Sequence, residues 1–232
     1  MRPNREAMPV DVNSAAFRKW FGDSRVVHRD ADRLGEPLVV WHGHPKRVED
    51  FSVFDLSQVI DLGFHFGSKS VAEEFGPAKP FYLSIQNPLY LQDPGDWIDG
   101  EGTLKQIAYD VRGPFYQPWA FVTADQREDA RRAIAELKAE CAAKRESRSQ
   151  TDPAFRRYRA AASKIVRSLI EREGFDGVVY TNTVEGLART TSWIAFRPTQ
   201  IKSADQNNGA FDPQNPDVRR NGSRRRRSSR RK

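Results

Sequence analysis

Two histidines, each close to a glycine, are the residues of this sequence best suited to chemistry. His42 precedes Gly43 at the end of the apolar run PLVVWHG, and His65 lies within GFHFGSKS. A neutral imidazole can accept a hydrogen bond or lie against a flat ring. A glycine lets a ligand reach the backbone where a Cβ would block it. The two segments therefore predict a ligand-binding cleft that both histidines face.

Short strands are predicted to position these residues. The first covers 38–41 and the second covers 64–66, and Gly63 is expected to let the second begin in an unusual backbone conformation. A short helix follows, opened by the hydroxyls of Ser68 and Ser70, which suit a helix N-cap. Further strands are predicted at 80–93, where Asn87-Pro88 ends the run, and at 177–180 and 193–196.

Three more helices are indicated by their start signals. Asn13-Ser14 precedes an amphipathic segment, Thr123 has Gln126 three residues later, and Asp152 is followed by Pro153. One face of the first helix is expected to bury Ala16, Phe17, Trp20 and Phe21. The third helix should end at Gly174. Short strands that alternate irregularly with helices predict an α+β fold.

Composition narrows the class of protein. The 232 residues contain one cysteine, so no intrachain disulfide can form and a reducing compartment is expected. No run of 18 apolar residues occurs, and the first residues lack the apolar centre of a signal peptide. A soluble, cytoplasmic protein without a membrane partner is the expectation.

The net charge of +7 comes from one end of the chain. Residues 219–232 carry nine Lys and Arg and no acid, which leaves 29 basic against 31 acidic residues elsewhere. A run of one sign predicts a disordered arm that contacts nucleic acid, with a merely solubilising terminus as the alternative. The tail is predicted to begin at 207 and to be arginine-rich from 219.

Several familiar sites are not supported by the spacing of residues. His42 and His44 lie two apart, but no cysteine partner or HExxH spacing accompanies them, so no metal site is predicted. The chain also lacks the GxSxG elbow of serine hydrolases, the phosphate loop and the GxGxxG dinucleotide motif.

The central stretch resembles the NAD-binding core of ADP-ribosyltransferases. In the diphtheria-toxin and poly(ADP-ribose) polymerase branch, a first strand ends in His-Gly, a second holds Gly-x-Tyr-Phe, and a helix begins near Ser-Lys-Ser. His42-Gly43, GFHF at 63–66 and SKS at 68–70 match this order. His65 stands where the tyrosine is expected.

The wider chain resembles the ADP-ribosyltransferase-like domains of phage and mobile-element polyvalent proteins. Five stretches carry this resemblance: SAAFRKWFGD at 14–23, GEPLVVWHG at 35–43, YLSIQNPL at 82–89, GFDGVVYTNTVEG at 174–186, and 192–217 with QIKSAD and FDPQNPD. The resemblance implies an N-terminal extension over 1–12 and a split-sheet domain with flanking helices over 13–206. Within this domain, 97–172 is a helical insertion, and its 97–150 part matches the family poorly.

The resemblance also implies NAD as the substrate and assigns roles. His42 would bind the adenosine ribose, the backbone of Gly43 and the hydroxyl of Ser70 would bind the nicotinamide amide, and His65 would flank the nicotinamide. The catalytic candidates are Glu185 and His65. The NAD-binding candidates are His42, Gly43, His65, Phe66, Ser68, Ser70, Tyr180, Asn182 and Ser192.

The expected catalytic carboxylate departs from the family pattern. Ser192 stands where the family glutamate usually begins a late strand, and Glu185 lies seven positions earlier. The implied reaction is transfer of ADP-ribose from NAD to a protein or nucleic acid, in a toxin-like phage or mobile-element enzyme. Two alternatives stay open: an NAD glycohydrolase, and a non-catalytic phage-type protein that keeps the fold and binds nucleic acid through its tail.

Overall fold

The structure, a computed structural model, describes residues 10–44, 52–93, 104, 123–147, 149–185, 189–209 and 211–219. The strands in these ranges are β1 Val40–Gly43, β2 Phe64–Phe66, β3 Ala78–Leu83, β4 Pro88–Gln92, β5 Gly177–Asn182, β6 Thr190–Ala195 and β7 Ile201–Ser203. The helices are α1 Ala15–Phe21, α2 Lys69–Glu74, α3 Ala124–Lys144 and α4 Pro153–Arg172.

The strands form two sheets that meet at β1 and β2. The first sheet has the order β1-β3-β7 and is antiparallel, and the second has the order β2-β6-β5-β4 with β4 parallel to β5. Trp41 of β1 and Gly67, just after β2, exchange two backbone hydrogen bonds of 2.9 Å. The predicted α+β fold with a split sheet and flanking helices is confirmed.

Strand alternation divides the second sheet between two cores. Phe64 and Phe66 of β2 face the first sheet, and the inter-sheet core also contains Val40, Phe54, Phe81, Leu83, Val179, Trp193, Ala195, Ile201 and Val218. The opposite face packs on α4, and that core includes Leu89, Ala162, Val166, Ile170, Val178, Tyr180 and Ile194. The second sheet is therefore covered on both faces, and α4 is part of the main core.

The predicted helix starts are confirmed by their cap hydrogen bonds. Ser14 accepts the N–H of Phe17, Thr123 and Gln126 form a reciprocal capping box, and Asp152 accepts two N–H groups of the first turn of α4. The buried face of α1 differs from the predicted one at a single position. Ala16 is exposed, although Phe17, Trp20 and Phe21 are buried.

The predicted strand over 80–93 is wrong as a single element. It is two strands, β3 and β4, which belong to different sheets. Between them the N–H groups of Gln86 and Asn87 donate to the carboxylate of Asp176 at 2.9 and 2.8 Å. This distant carboxylate turns the chain from one sheet to the other, which alternation within 80–93 cannot reveal.

The C-terminal strap, residues 211–219, is folded, so the predicted tail boundary at 207 is too early. Val218 is 1% exposed, and its N–H donates to Ser52 O at 2.8 Å. The ammonium of buried Lys202 donates to the backbone carbonyls of Asn215 and Asp217. The chain beyond the strap, 220–232, lies outside the described residues, as do 1–9 and, apart from Leu104, the 97–122 part of the predicted insertion.

Candidate functional site

His42 lies on the inner side of β1, between the two sheets. Its Nδ1 is 2.6 Å from the carbonyl oxygen of His65, and its ring contacts those of Phe54 and Phe66. Burial lowers the pKa of His42 to about 4, against the raising effect of this hydrogen bond, so the ring is neutral at pH 7. A carbonyl oxygen only accepts, so the proton is on Nδ1. Nε2 is therefore the acceptor nitrogen.

His65 directs its ring to the other face of β2. Its neighbours Phe64 and Phe66 enter the inter-sheet core, and its Nδ1 lies 3.3 Å from the hydroxyl of Tyr180. The two histidine rings are thus on opposite sides of one strand, and the prediction that both face one cleft is wrong. The alternation of Phe-His-Phe is the reason. β2 is an edge strand of the second sheet, and the His42 ring bonds to its His65 carbonyl on that edge.

Tyr180 and Ser192 complete the polar group around His65. They are cross-strand partners on β5 and β6, and His65 is the partner of Ile194 two residues along β6, so all three share a face. Burial raises the pKa of Tyr180, while the nearby Ser192 hydroxyl opposes this rise. Burial lowers the pKa of His65. The phenol is therefore protonated and the imidazole neutral at pH 7.

Three carboxylates lie close enough to act on this group. Asp61, Glu185 and Asp93 raise the pKa of His65 against the larger effect of burial. Asp61 is also paired with Arg159, whose Nη2 is 3.0 Å from Oδ1. Glu185 is partly buried and accepts a hydrogen bond of 2.9 Å from the amide of Asn182. The predicted carboxylate therefore lies within electrostatic range of His65 and Tyr180.

Gly43 is a glycine for a different reason from the one predicted. A Cβ here would lie 2.0 Å from Ala72 O, so α2 occupies the space expected for a ligand. The backbone of Gly43 has a definite orientation in the strand. On the β3 side of β1, the N–H of His44 donates to Pro77 O. On the opposite side of β1, Trp41 exchanges two backbone hydrogen bonds with Gly67. By alternation along the strand, the N–H and C=O of Gly43 point to the same side as those of Trp41, away from β3.

The other glycine and the serines are placed as follows. Gly63 has no positive φ, and a Cβ on it would lie 2.4 Å from Ala195 O. Close strand packing, not an unusual conformation, requires it. Ser68 is the N-cap of α2 and accepts the N–H of Val71, and the exposed Ser70 is 3.0 Å from it, Oγ to Oγ.

Phe66 and Asn182 are more buried than a direct ligand contact suggests. Phe66 is 2% exposed and packs on Phe54 and Phe81, a core position. Asn182 is 1% exposed and bonds to the loop that carries Glu185.

Sequence reasoning missed four residues of this region: His44, Phe54, Asp61 and Asp93. Asp93 had a usable signal. It directly follows β4, which is parallel to β5, so it lies at the same sheet edge as the end of β5. His44, 3% exposed, lies beside His42, with ring centroids 5.4 Å apart. The contact between His42 and Phe54 could not be predicted from the sequence, because the two residues are distant in the chain and meet only in the fold.

Within the described ranges, no group of three or more His, Cys, Asp or Glu side chains is arranged to hold a metal ion. A search of the same residues finds no helix long and apolar enough to span a membrane.

The buried histidines predict that stability falls in acid. In the unfolded chain His42 takes up a proton near pH 6.5, but in the folded protein only near pH 4. Between these values the unfolded state binds more protons, so the free energy of unfolding drops as pH decreases through this window. Burial lowers the pKa of His44 and His65 in the same sense.

Urea unfolding at pH 7 and pH 5 measures this effect. The loss at pH 5 is expected to be on the order of 2 kcal/mol from His42 alone. Between pH 7 and pH 8 these histidines should change the free energy of unfolding by only about 0.1 to 0.2 kcal/mol each, which serves as the internal control. Equal free energies of unfolding at pH 5 and pH 7 would contradict the burial of neutral imidazoles.

Comparison with solved structures gives one weak likeness. A crystal structure of an anti-CRISPR protein aligns over 71% of this chain and 91% of its own, with 12% identity and a TM-score of 0.31. That similarity is too low to carry an argument. No curated protein matches the chain.

A family match is much clearer. Residues 32–211, more than three quarters of the chain, match the family described as ADP-Ribosyltransferase in polyvalent proteins. The match includes β1 to β7 and every predicted site residue from His42 to Ser192. The chain belongs to the family of ADP-ribosyltransferases in polyvalent proteins.

Proposed function

We propose that this protein cleaves the bond between nicotinamide and ribose in NAD and transfers ADP-ribose to a macromolecule. The observation that carries the proposal is that Glu185 is held by Asn182 at the end of β5, where its carboxylate is within electrostatic range of His65 and Tyr180. Membership in an ADP-ribosyltransferase family supports the reaction class.

NAD would bind across the edge of β2. His42 presents Nε2 as an acceptor for a ribose hydroxyl, because its Nδ1 proton is engaged by the carbonyl of His65. The nicotinamide amide has both a donor and an acceptor, and it would pair with the C=O and N–H of Gly43. Ser70, exposed on the first turn of α2, supplies a further hydroxyl. His65, neutral at pH 7, would lie beside the nicotinamide ring.

The reaction requires an ionised carboxylate rather than a proton donor. When the bond from C1′ to the nicotinamide nitrogen breaks, its electron pair leaves with nitrogen, so nicotinamide departs neutral and positive charge develops on the ribose. Glu185 would stabilise this charge, as carboxylates do in glycoside cleavage. An acceptor O–H or N–H then attacks C1′, and Glu185 can receive the proton that the acceptor loses.

Incubation with NAD labelled in its adenylate half tests the proposal. Separate pools of protein, RNA and DNA are offered, and nicotinamide release is measured alongside label transfer. Label in one pool supports transfer and identifies the acceptor class. Nicotinamide release with free ADP-ribose alone would instead indicate an NAD glycohydrolase. No release from NAD in the presence of any pool would contradict an enzymatic role.

Nucleic acid is the partner that the arginine-rich tail favours. Residues 219–232 carry nine positive charges and no negative charge. The point where this tail leaves the domain is fixed, because Val218 is buried and its N–H donates to Ser52 O. Ser52 lies two residues before Phe54, and the Phe54 ring packs on His42. A polyanion bound by the tail would therefore be tethered to the domain by a short chain that starts near the proposed NAD site.

Deletion of 220–232 is expected to weaken binding to DNA and RNA without altering NAD binding. Each phosphate neutralised by an arginine releases counterions, so the deletion should flatten the plot of log affinity against log salt. The strap remains intact in this variant, and its thermal stability is the control. An unchanged salt slope would rule out the tail as a nucleic-acid arm.

A further inference from the structure

A buried amide holds residues 183–185, the described part of the loop that carries Glu185. The Oδ1 of Asn182 accepts the backbone N–H groups of Val184 and Glu185 at 3.1 and 2.9 Å, and its Nδ2 donates to Glu185 Oε2 at 2.9 Å. Asn182 is the last residue of β5 and is 1% exposed. One side chain therefore fixes both the turn of the loop and the direction of the carboxylate.

A second strand supports the same loop from the other side. Asp93, which follows β4, accepts the backbone N–H of Thr183 at 2.8 Å and its hydroxyl at 3.4 Å. Since β4 and β5 are hydrogen-bonded neighbours, their ends form a fixed base for residues 183–185. The loop emerges from the sheet with its first residues already oriented.

We infer that Asn182 is the positioning residue for the Glu185 carboxylate, an inference that rests on the proposed function. A carboxylate on a surface loop samples many rotamers, and fixing it before reaction removes that entropy cost from the transition state. An amide suits this task because it donates to the carboxylate without cancelling its charge. A lysine or arginine here would neutralise the charge that the ribose needs.

The geometry separates two functions of the amide, and one substitution removes only one of them. In Asn182→Asp the remaining oxygens still accept the N–H groups of Val184 and Glu185, so the turn is kept. The donor to Glu185 Oε2 is lost, and a second negative charge faces the carboxylate. The loop should stay in place while the Glu185 side chain turns away.

Nicotinamide release by the wild-type protein and by Asn182→Asp, measured over a range of pH, is the test. We expect kcat to fall at least about tenfold, KM for NAD to change little, and the acidic limb of the pH–rate profile to move to higher pH. Hydrogen exchange of the Val184 and Glu185 amides should remain slow, since the turn persists. Asn182→Ala should lose both the rate and this protection.

Asn207→Asp is the matched control. Asn207 is also buried, accepts the N–H of Gly209 at 2.9 Å and donates to Val218 O at 3.0 Å, so its bonds hold the C-terminal strap and not residues 183–185. It should lower stability but leave kcat and the pH profile unchanged. If Asn182→Asp keeps the wild-type rate and pH profile, the inference about Asn182 is wrong and the proposed function still stands. A wild-type protein that releases no nicotinamide would overturn the proposed function, and the inference with it.

Discussion

Replacing Glu185 with glutamine is expected to lower the rate of nicotinamide release by on the order of a hundredfold. Glutamine has nearly the same size, and its carbonyl oxygen can still accept the hydrogen bond from Asn182 that now reaches Oε2. The loop should therefore keep its conformation. What disappears is the negative charge beside the developing positive charge of the ribose, so NAD binding should persist while turnover collapses.

Ser192→Ala is the matched control for this substitution. The resemblance to ADP-ribosyltransferases implies a glutamate at the position of Ser192, and Ser192 lies on the same sheet face as His65 and Tyr180. Its removal should leave most of the rate. If alanine at 192 abolished turnover while glutamine at 185 left it intact, the assignment of the carboxylate would be wrong. If neither substitution changed the rate, the non-catalytic alternative would gain.

Local signals in the sequence were sufficient for many elements of the fold. A cap such as Thr123 with Gln126 acts over three residues, and the bonds it predicts are present. The strand of β2 was also placed correctly at 64–66. These elements were predictable because the residues that form them are adjacent in the chain.

The arrangement of the site depended on contacts across long separations. Asp93 and Thr183 are 90 residues apart in sequence, and their hydrogen bond decides where the Glu185 loop begins. Asp176 likewise sets the break between β3 and β4 through Gln86. No periodicity or cap within either segment contains this information, so the motifs identified candidate residues without their partners.

The misassigned glycines illustrate a further limit. A glycine in a motif can serve backbone conformation, ligand access or close packing, and the sequence does not distinguish these uses. Gly43 and Gly63 both turn out to admit a neighbouring carbonyl oxygen, of Ala72 and Ala195 respectively. Only the position of the helix or strand that packs there separates the alternatives.

Gly43→Ala is therefore expected to destabilise the fold by about 3 kcal/mol, as overpacking against an unyielding neighbour does. The added Cβ would meet Ala72 O at 2.0 Å and Phe75 Cβ at 2.9 Å. A backbone carbonyl cannot turn aside as a flexible side chain can, so α2 must move away from β1. Because α2 carries Ser70, NAD affinity should fall as well.

Urea unfolding of Gly43→Ala and of two other variants measures this effect and separates its causes. Gly35→Ala is the control for backbone strain, because Gly35 has φ +84° and no atom within 4 Å of an added Cβ, and it should cost about 1 kcal/mol. Gly67→Ala should fall between them, since its Cβ would meet side-chain atoms rather than a backbone carbonyl: the Ser192 hydroxyl at 3.0 Å and Val71 Cγ1 at 3.3 Å. A Gly43→Ala protein as stable as the wild type would show that α2 does not pack on β1 as described, and the space beside Gly43 would again be available to a ligand.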